Sequence, residues 1–158
     1  MEWFDHLKGK PVDTPKKISR EDLPHTKNAE PTLYKYSKFE HRLHELPPGK
    51  SYLRNCVGNH NSETMRGGWN FLNKVTIPWS LPIDEMLFIL EGTLKMTVGD
   101  KTFVCEQGDI LWVPGGDDVI YEAEEKVSVF YVTYPFDWKE QIGITSVPGK
   151  EADDVPPY

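Results

Sequence analysis

Hydrophobic and polar residues alternate along the middle of this 158-residue chain, between short segments rich in glycine and acidic residues. In the run Leu94 to Val98, every second residue is apolar. Strict alternation is typical of a half-buried β-strand, because successive side chains of a strand point to opposite faces. Turn-forming pairs that favour hairpins occur at Glu91-Gly92, Gly99-Asp100 and Gly108-Asp109. The pattern predicts a series of short strands joined by tight turns.

Two longer runs extend this series of strands. Val127 to Tyr134 consists mostly of β-branched and aromatic residues, and Pro135 ends it. Glu63 to Ile77 contains Gly67-Gly68 near its start, and a glycine pair inside a strand predicts a bulge or a sharp bend. The residues of one parity in this run are expected to face inward: Trp69, Phe71, Asn73, Val75 and Ile77. Those of the other parity are expected to be more exposed: Asn70, Leu72, Lys74 and Thr76.

The remaining pattern completes an all-β domain. Leu33 to Phe39 alternates and is predicted to be a strand, whereas Glu40 to Leu46 is short and polar and is predicted to be a loop. About nine strands and almost no helix indicate a small β-barrel or jelly roll. We expect an N-terminal arm over residues 1–31, which holds four prolines, a barrel over 32–138 and a loosely ordered tail over 139–158. A chain of this length can bury one such core.

Composition narrows the range of partners. The net charge is −7 and the isoelectric point is near 5.2, which argues against nucleic acid and anionic membrane surfaces as partners. The two cysteines, Cys56 and Cys105, form no C-x-x-C motif and are expected to be buried thiols in a reducing cytoplasm. We find no apolar segment long enough to span a membrane and no signal peptide. A cytoplasmic protein without membrane partners is therefore expected.

Two motifs resemble the pair that marks the cupin family. Glu85 is followed by six residues and Gly92, and Gly108 is followed by five residues and Pro114-Gly115-Gly116. The resemblance implies a single cupin jelly-roll β-barrel. In cupins, two histidines precede the glutamate and a third lies in the second motif, and here those positions hold Trp79, Leu81 and Val119. None of these side chains coordinates a metal, so we expect no metal in the usual cupin site.

A narrower resemblance is to the EutQ family of ethanolamine-utilisation cupins. It rests on Pro78 to Leu81 followed by Asp84-Glu85, then Leu90 to Gly92, and on Phe130 to Pro135 followed by Asp137-Trp138. The similarity covers Arg54 to Trp138. It implies a barrel that is usually a homodimer, in an operon that degrades a small amine. It also implies acetate kinase activity with no tightly bound cofactor, ATP and Mg²⁺ being candidate substrates, and microcompartment components as candidate partners.

Glu85 is the candidate catalytic residue. Leu87 and Ile89 share its parity, so Glu85 is expected to point into an apolar cavity where burial raises the pKa of its carboxyl group. A carboxyl group that titrates near neutral pH can act as a general acid or base. The alternative is a structural glutamate that accepts hydrogen bonds from donors on facing strands, for which the candidates are Tyr121, Tyr131 and Trp79. The expected ligand pocket is lined by Trp69, Phe71, Trp79, Leu81, Tyr121 and Tyr131.

Phosphoryl transfer requires cations or Mg²⁺ to take up charge on the phosphoryl oxygens. Arg54, Arg66 and Lys74 are the candidate cations, and no Walker-type sequence is present. The segment Gly115 to Asp118 can be read as a phosphate-binding or Mg²⁺-binding turn, or as a plain turn between strands.

Three functional hypotheses follow. The first is an acetate kinase-type enzyme of small-metabolite catabolism. The second is a metal-free small-molecule-binding or accessory cupin without catalysis. The third is a metal-dependent cupin with a displaced site built from His60, Glu63 or Tyr121. The sequence disfavours the third hypothesis and does not separate the first two.

Overall fold

The computed structural model describes Thr26 and residues 29–36, 42–46, 48–58 and 60–135. The predictions for most of the N-terminal arm and for the tail lie outside these residues. The described part contains eight β-strands. They are β1 (Arg42–Leu46), β2 (Gly49–Val57), β3 (Arg66–Ser80), β4 (Asp84–Glu91), β5 (Leu94–Val98), β6 (Lys101–Cys105), β7 (Ile110–Val113) and β8 (Asp118–Tyr134). No helix in this part of the chain is long and apolar enough to cross a membrane.

The two longest strands organise the barrel. β8 has 17 residues and pairs antiparallel with the 15-residue β3 along most of its length. On its other side, the first half of β8 pairs with β5 and the second half pairs with β4. The main path of hydrogen-bonded strands is β1-β2-β3-β8-β4-β7, and β6 pairs with β5. All of these pairings are antiparallel, which confirms the predicted all-β jelly roll.

The hydrophobic core lies between the inward faces of these strands. Its most deeply buried strand residues include Ile89, Leu94 and Val119, none of them more than 1% exposed. Each occupies a strand position of the inward parity, as period-2 alternation requires. Cys56 and Cys105 are both buried and free, as the cysteine count predicted.

Two local predictions near the start of the barrel are wrong. Residues 33–36, which were predicted to begin a strand, form no strand. Instead, Tyr36 packs edge-on against the ring of Trp69, and its hydroxyl group lies 3.1 Å from Ser128 Oγ. Residues 42–46, predicted to be a loop, form β1 and pair with β2. Pairing with a neighbouring strand outweighs weak local propensity, because β preference depends strongly on context.

In the first half of β3, the prediction of which side chains point into the barrel is wrong. Lys74 has a positive φ of 55°, and the register between β3 and β8 shifts at this point. One extra residue inverts the alternation of the strand. Leu72, predicted to be more exposed, is therefore in the core at 5% exposure, on the same side as Val75. Trp69 and Phe71 face the opposite side, where both rings contact Tyr36.

The predicted irregularity at Gly67-Gly68 lies in the pairing between β2 and β3. Asn55 pairs with Gly68 and Val57 pairs with Gly67, so Cys56 is the extra residue of a bulge. A Cβ atom on Gly68 would lie 1.8 Å from the backbone oxygen of Arg54. Glycine therefore allows the two backbones to approach closely. This approach sets the position of Asn55 at one end of the barrel.

Candidate functional site

Glu85 lies near the start of β4 and points into the barrel. Leu87 and Ile89 have the same parity and are 5% and 0% exposed, whereas Met86 and Phe88 are exposed on the other face. β4 lies between β7 and β8 in the sheet, so neighbouring strands flank its inward side chains on both sides. The structure thus places Glu85 on the face that its parity predicts.

Tyr121 is the hydrogen-bond partner of Glu85. Its hydroxyl group donates to Glu85 Oε2 over 2.7 Å. Tyr121 belongs to the first half of β8, which pairs with β3 and β5, whereas Glu85 is on β4. The bond therefore connects two parts of the barrel wall across the interior. Tyr121 is 8% exposed and belongs to the core cluster.

Burial controls the ionisation of both groups. Burial raises the pKa of Glu85 to about 7, and the hydrogen bond from Tyr121 acts in the opposite direction. Burial, followed by the nearby Glu85 charge, raises the pKa of the Tyr121 hydroxyl group far above its ordinary value. Tyr121 is therefore a neutral donor across the usual pH range, while Glu85 changes charge near neutrality.

Further polar residues share the inward face near Glu85. Thr133 pairs with Glu85 on one side and with Arg66 on the other. Directly paired residues of antiparallel strands point to the same face, and adjacent strands lie about 4.8 Å apart. Arg66 is thus two strands, or roughly 10 Å, from Glu85. Tyr131 lies two residues before Thr133 on β8, at the next inward position, and its hydroxyl group donates to Asn55 Oδ1. These residues form a polar end over the apolar core.

The predicted pocket residues divide into two groups. Leu81 is 1% exposed within the core, and Trp79 packs against that core from a partly buried position. Trp79 pairs with Val119 two positions before Tyr121, so it lies on the same inward face of the barrel. Tyr131 also packs against the core cluster. Trp69 and Phe71 are on the outer face, as described above, and do not lie with Glu85.

The glycine turn between β7 and β8 is tied into the fold. The amide of Gly115 donates to Asp84 Oδ1 over 3.0 Å, and the amide of Gly116 donates to the Leu81 carbonyl over 2.6 Å. A Cβ atom on Gly115 would lie 2.8 Å from the backbone of Ile83. Both amides are thus used within the protein, and the segment is a turn between strands.

The candidates for a displaced metal site are not brought together. His60 and Glu63 line a surface pocket beside Tyr34 and Asn61, and Tyr121 is not among the residues around it. Among the described residues, no three His, Cys, Asp or Glu side chains are grouped so that they could hold a metal ion. The site that the structure assembles is therefore the polar end around Glu85.

Sequence reasoning missed two members of this site. Asn55 and Thr133 were not singled out, although each is a polar residue at an inward strand position. Thr133 has the parity of Val127, Val129 and Tyr131, which are apolar or aromatic. A polar residue at an inward position of an apolar strand was the available signal.

Replacing Tyr121 with phenylalanine is expected to raise the pKa of Glu85 further. The hydrogen bond from Tyr121 stabilises the charged carboxylate, so its loss favours the protonated form. The measurement is a titration of the carboxyl carbon of Glu85 by NMR in wild type and in Tyr121→Phe. An unchanged or lower pKa in the variant would show that this hydrogen bond does not stabilise the carboxylate.

An antiparallel jelly roll whose first motif carries an inward glutamate defines a cupin barrel, and the positions of the motif histidines are held here by Trp79, Leu81 and Val119. The sequence profile of the family described as "Ethanolamine utilisation protein EutQ" matches residues 27–140. The chain belongs to this family.

Curated relatives carry the same family name. A protein of Clostridioides difficile (strain 630) named "Acetate kinase EutQ" is 24% identical over 95 residues, which is 60% of each chain. A protein of Salmonella typhimurium (strain LT2) with the same name is 26% identical over 87 residues, 55% of this chain and 38% of the relative. The chain thus spans less than two thirds of the length of these relatives.

Solved structures support the fold. The EutQ protein of Clostridium difficile matches with a TM-score of 0.55 and 24% identity, over 58% of this chain and 73% of that one. A cupin-like protein of Thermotoga maritima matches with the same TM-score and 13% identity, over 63% of this chain and 82% of that one. At these identities the likeness shows the cupin fold alone.

Proposed function

We propose that this chain is a small-molecule-binding cupin of ethanolamine utilisation, whose ligand contacts the pair Glu85 and Tyr121. The observation that carries the proposal is the 2.7 Å hydrogen bond between these groups at the polar end of an otherwise apolar barrel. A few convergent polar groups above an apolar interior are the usual composition of a small-molecule site. Glu85 is itself partly exposed, so a ligand can reach it from that end.

Binding is favoured over catalysis by what surrounds the pair. Phosphoryl transfer relies on cations and backbone amides that stabilise charge on the phosphoryl oxygens. The amides of Gly115 and Gly116 already donate within the protein. Of the three candidate cations, Lys74 lies at the distant bulge of β3 and Arg54 pairs with Trp69. Arg66 is therefore the one of the three that pairs with Thr133 beside Glu85, and a single cation is few for phosphoryl transfer.

The pH dependence of binding would reveal the charge of the ligand. A protonated Glu85 donates a hydrogen bond to a carboxylate or phosphate ligand, so affinity for an anion falls as pH rises through about 7. An ionised Glu85 attracts an ammonium group, so affinity for an amine rises over the same range. Ethanolamine and acetate are therefore opposite probes of one site.

A second candidate function is acetate kinase activity, which the names of the two curated relatives favour. In that reaction, the phosphoryl group of acetyl phosphate moves to the β-phosphate of ADP. The bond from phosphorus to the acetyl oxygen breaks, a bond to the ADP oxygen forms, and acetate is released. Arg66 would contact a phosphoryl oxygen and Mg²⁺ would enter with the nucleotide.

The test combines turnover and binding in three proteins. Wild type, Glu85→Gln and the control Glu125→Gln, which changes an exposed glutamate on β8, are assayed with acetyl phosphate, ADP and Mg²⁺. Thermal shifts with ethanolamine, acetate and acetyl phosphate are recorded in parallel. We expect one of these ligands to stabilise wild type and the control, and the shift to be lost in Glu85→Gln.

The outcomes separate the candidates. Ligand stabilisation without turnover supports the binding protein. Turnover that falls at least about 100-fold in Glu85→Gln alone supports the kinase with Glu85 as its catalytic residue. If wild type shows no ligand stabilisation and no turnover, both functions are contradicted. Turnover or stabilisation that is equal in all three proteins places the site away from Glu85 and contradicts the proposal.

The place of action in the cell is part of the same proposal. Membership of the family supports a role beside the enzymes of ethanolamine degradation. A cytoplasmic location and association with microcompartment components stay predictions, which a fluorescent fusion in cells grown on ethanolamine would test.

A further inference from the structure

One row of inward residues at the polar end carries opposite charges on its two sides. Glu85 on β4 and Arg66 on β3 both pair with Thr133 of β8, which lies between them. Directly paired residues of antiparallel strands share a face, so the three side chains point to the same side of the sheet. Glu85 and Arg66 are each partly exposed. The row therefore presents a carboxyl group and a guanidinium group to the same opening of the barrel.

These two charged groups do not neutralise each other. Burial and the hydrogen bond from Tyr121 set the pKa of Glu85, and among the described residues Arg66 is not one of the groups that shift it. A guanidinium group within about 4–6 Å of the carboxyl group would lower that pKa. The two charged groups are thus farther apart than an ion pair. Each gains from a ligand group of opposite charge, because a partly buried charge is costly without one.

A hydroxyl group lies between them and is not used within the fold. Thr133 is 8% exposed. Its side chain makes no hydrogen bond within the described part of the chain, and its oxygen is not sealed from the opening. Buried hydroxyl groups are ordinarily hydrogen-bonded, so an unused one beside two charged groups points to a polar ligand.

We infer that this row binds a small zwitterion, whose ammonium group contacts Glu85 and whose anionic group contacts Arg66, with the Thr133 hydroxyl group between them. This ligand class rests on the proposed function, because it concerns the same site. A ligand of one charge would satisfy one side of the row only. The net charge of −7 also repels a free anion at long range, whereas a zwitterion carries no net charge.

The geometry of the row sets the size of the ligand. The backbones of β4 and β3 are two strands apart at this point, or roughly 10 Å. Each charge-assisted hydrogen bond spans about 2.8 Å, which leaves about 4–5 Å between the two charged groups of the ligand. A spacer of about two carbon atoms gives such a separation. The guanidinium group of Arg66 has five donors in a planar fork, so it can hold an anion in addition to a contact within the protein.

The test is isothermal titration calorimetry of the full-length protein at pH 8, above the pKa of about 7 of Glu85. The probes are ethanolamine, acetate, inorganic phosphate and two zwitterions, O-phosphoethanolamine and β-alanine. We expect at least one zwitterion to bind at least about 10-fold more tightly than each probe of single charge, since it adds a charged hydrogen bond. The tighter zwitterion identifies the anionic group as a phosphate or a carboxylate.

Variants assign the two sides of the row. Arg66→Gln is expected to lower the affinity for the zwitterion at least about 10-fold and to leave that for ethanolamine within about two-fold. Glu85→Gln is expected to weaken both. Thr133→Val keeps the shape of the side chain and is expected to weaken the zwitterion several-fold. The matched control is Lys101→Gln, which removes an exposed cation on β6 and should bind every probe as wild type does.

Circular dichroism and thermal unfolding establish that each variant is folded. If Arg66→Gln does not fold, Arg66→Lys serves in its place, because it keeps the charge, loses the fork and should weaken the zwitterion several-fold. If a probe of single charge binds through Glu85 and neither zwitterion binds more tightly, the inference is overturned and the proposed function stands. An Arg66→Gln variant that weakens ethanolamine as much as the zwitterion also overturns it. If no probe binds wild type, both are contradicted.

Discussion

As pH rises from 4.5 to 8, the ionisation of Glu85 is expected to lower the free energy of unfolding of the wild-type protein by about 3 kcal/mol. Burial raises the pKa of Glu85 from its ordinary value of 4.5 to about 7. Between these values the folded state holds a proton that the unfolded state has released. Stability from this group is therefore complete below pH 4.5 and is lost as pH rises through about 7. Tyr121 stays protonated throughout this range.

Glu85→Gln is expected to remove this pH dependence. The amide does not ionise, and it can still accept the hydrogen bond from Tyr121. The measurement is urea unfolding at pH 5 and pH 8 for wild type, for the variant and for the exposed control Glu125→Gln. The control should follow wild type, and Glu85→Gln should be the most stable of the three at pH 8. Parallel pH profiles for all three would show that folding does not raise the pKa of Glu85.

This expectation bears on function as well as stability. A group that destabilises the folded protein at neutral pH is typical of a binding or catalytic site, because selection for stability alone would replace it. The pair Glu85 and Tyr121 has that property. If Glu85→Gln gains stability at pH 8 and also loses ligand binding, both effects originate from one buried carboxyl group.

Gly68→Ala is expected to destabilise the protein by at least about 3 kcal/mol, near the upper end for single substitutions. The added methyl group would lie 1.8 Å from the Arg54 carbonyl oxygen, and backbone atoms on both strands would have to move. The nearest atoms to the added methyl group are backbone atoms of Arg54 and Cys56, so no flexible side chain can absorb the shift. Asn55, which accepts the hydrogen bond from Tyr131, would move with them.

A control separates the clash from the general cost of replacing glycine. Gly99 has φ +55° and no atom within 4 Å of an added Cβ, so Gly99→Ala introduces backbone strain alone. Its expected cost is about 1 kcal/mol. Thermal unfolding of the two variants should differ by several degrees at least. Equal melting temperatures would show that β2 and β3 are not as close at Gly68 as described.

Several features followed from the sequence by itself. The alternation over Leu94 to Val98 and the turns around it determined the all-β class, because strand facing depends on a local period of two. The same rule placed Glu85 inward with Leu87 and Ile89. The spacing of glutamate, glycine and proline residues in the two motifs indicated the cupin fold. Each of these signals lies within a few residues along the chain.

Only the tertiary structure decided the composition of the site. The bond between Glu85 and Tyr121 joins residues 36 positions apart, and no local pattern specifies which tyrosine faces a glutamate across a barrel. The bulge at Lys74 reverses the alternation between the two halves of β3, so Trp69 and Phe71 lie on the opposite side from Val75, with which they share parity.

The exposed apolar surface formed by Met86, Phe88, Ile110, Trp112, Phe130 and Tyr134 on β4, β7 and β8 has the same origin. The sequence shows strands that are hydrophobic at nearly every position, which fits burial on both sides. It does not show which strands lie side by side. Because β7, β4 and β8 are adjacent only through long-range pairing, their outward residues become one surface only in the folded barrel. Local periodicity thus determined which way most side chains point, and long-range strand pairing determined which of them meet.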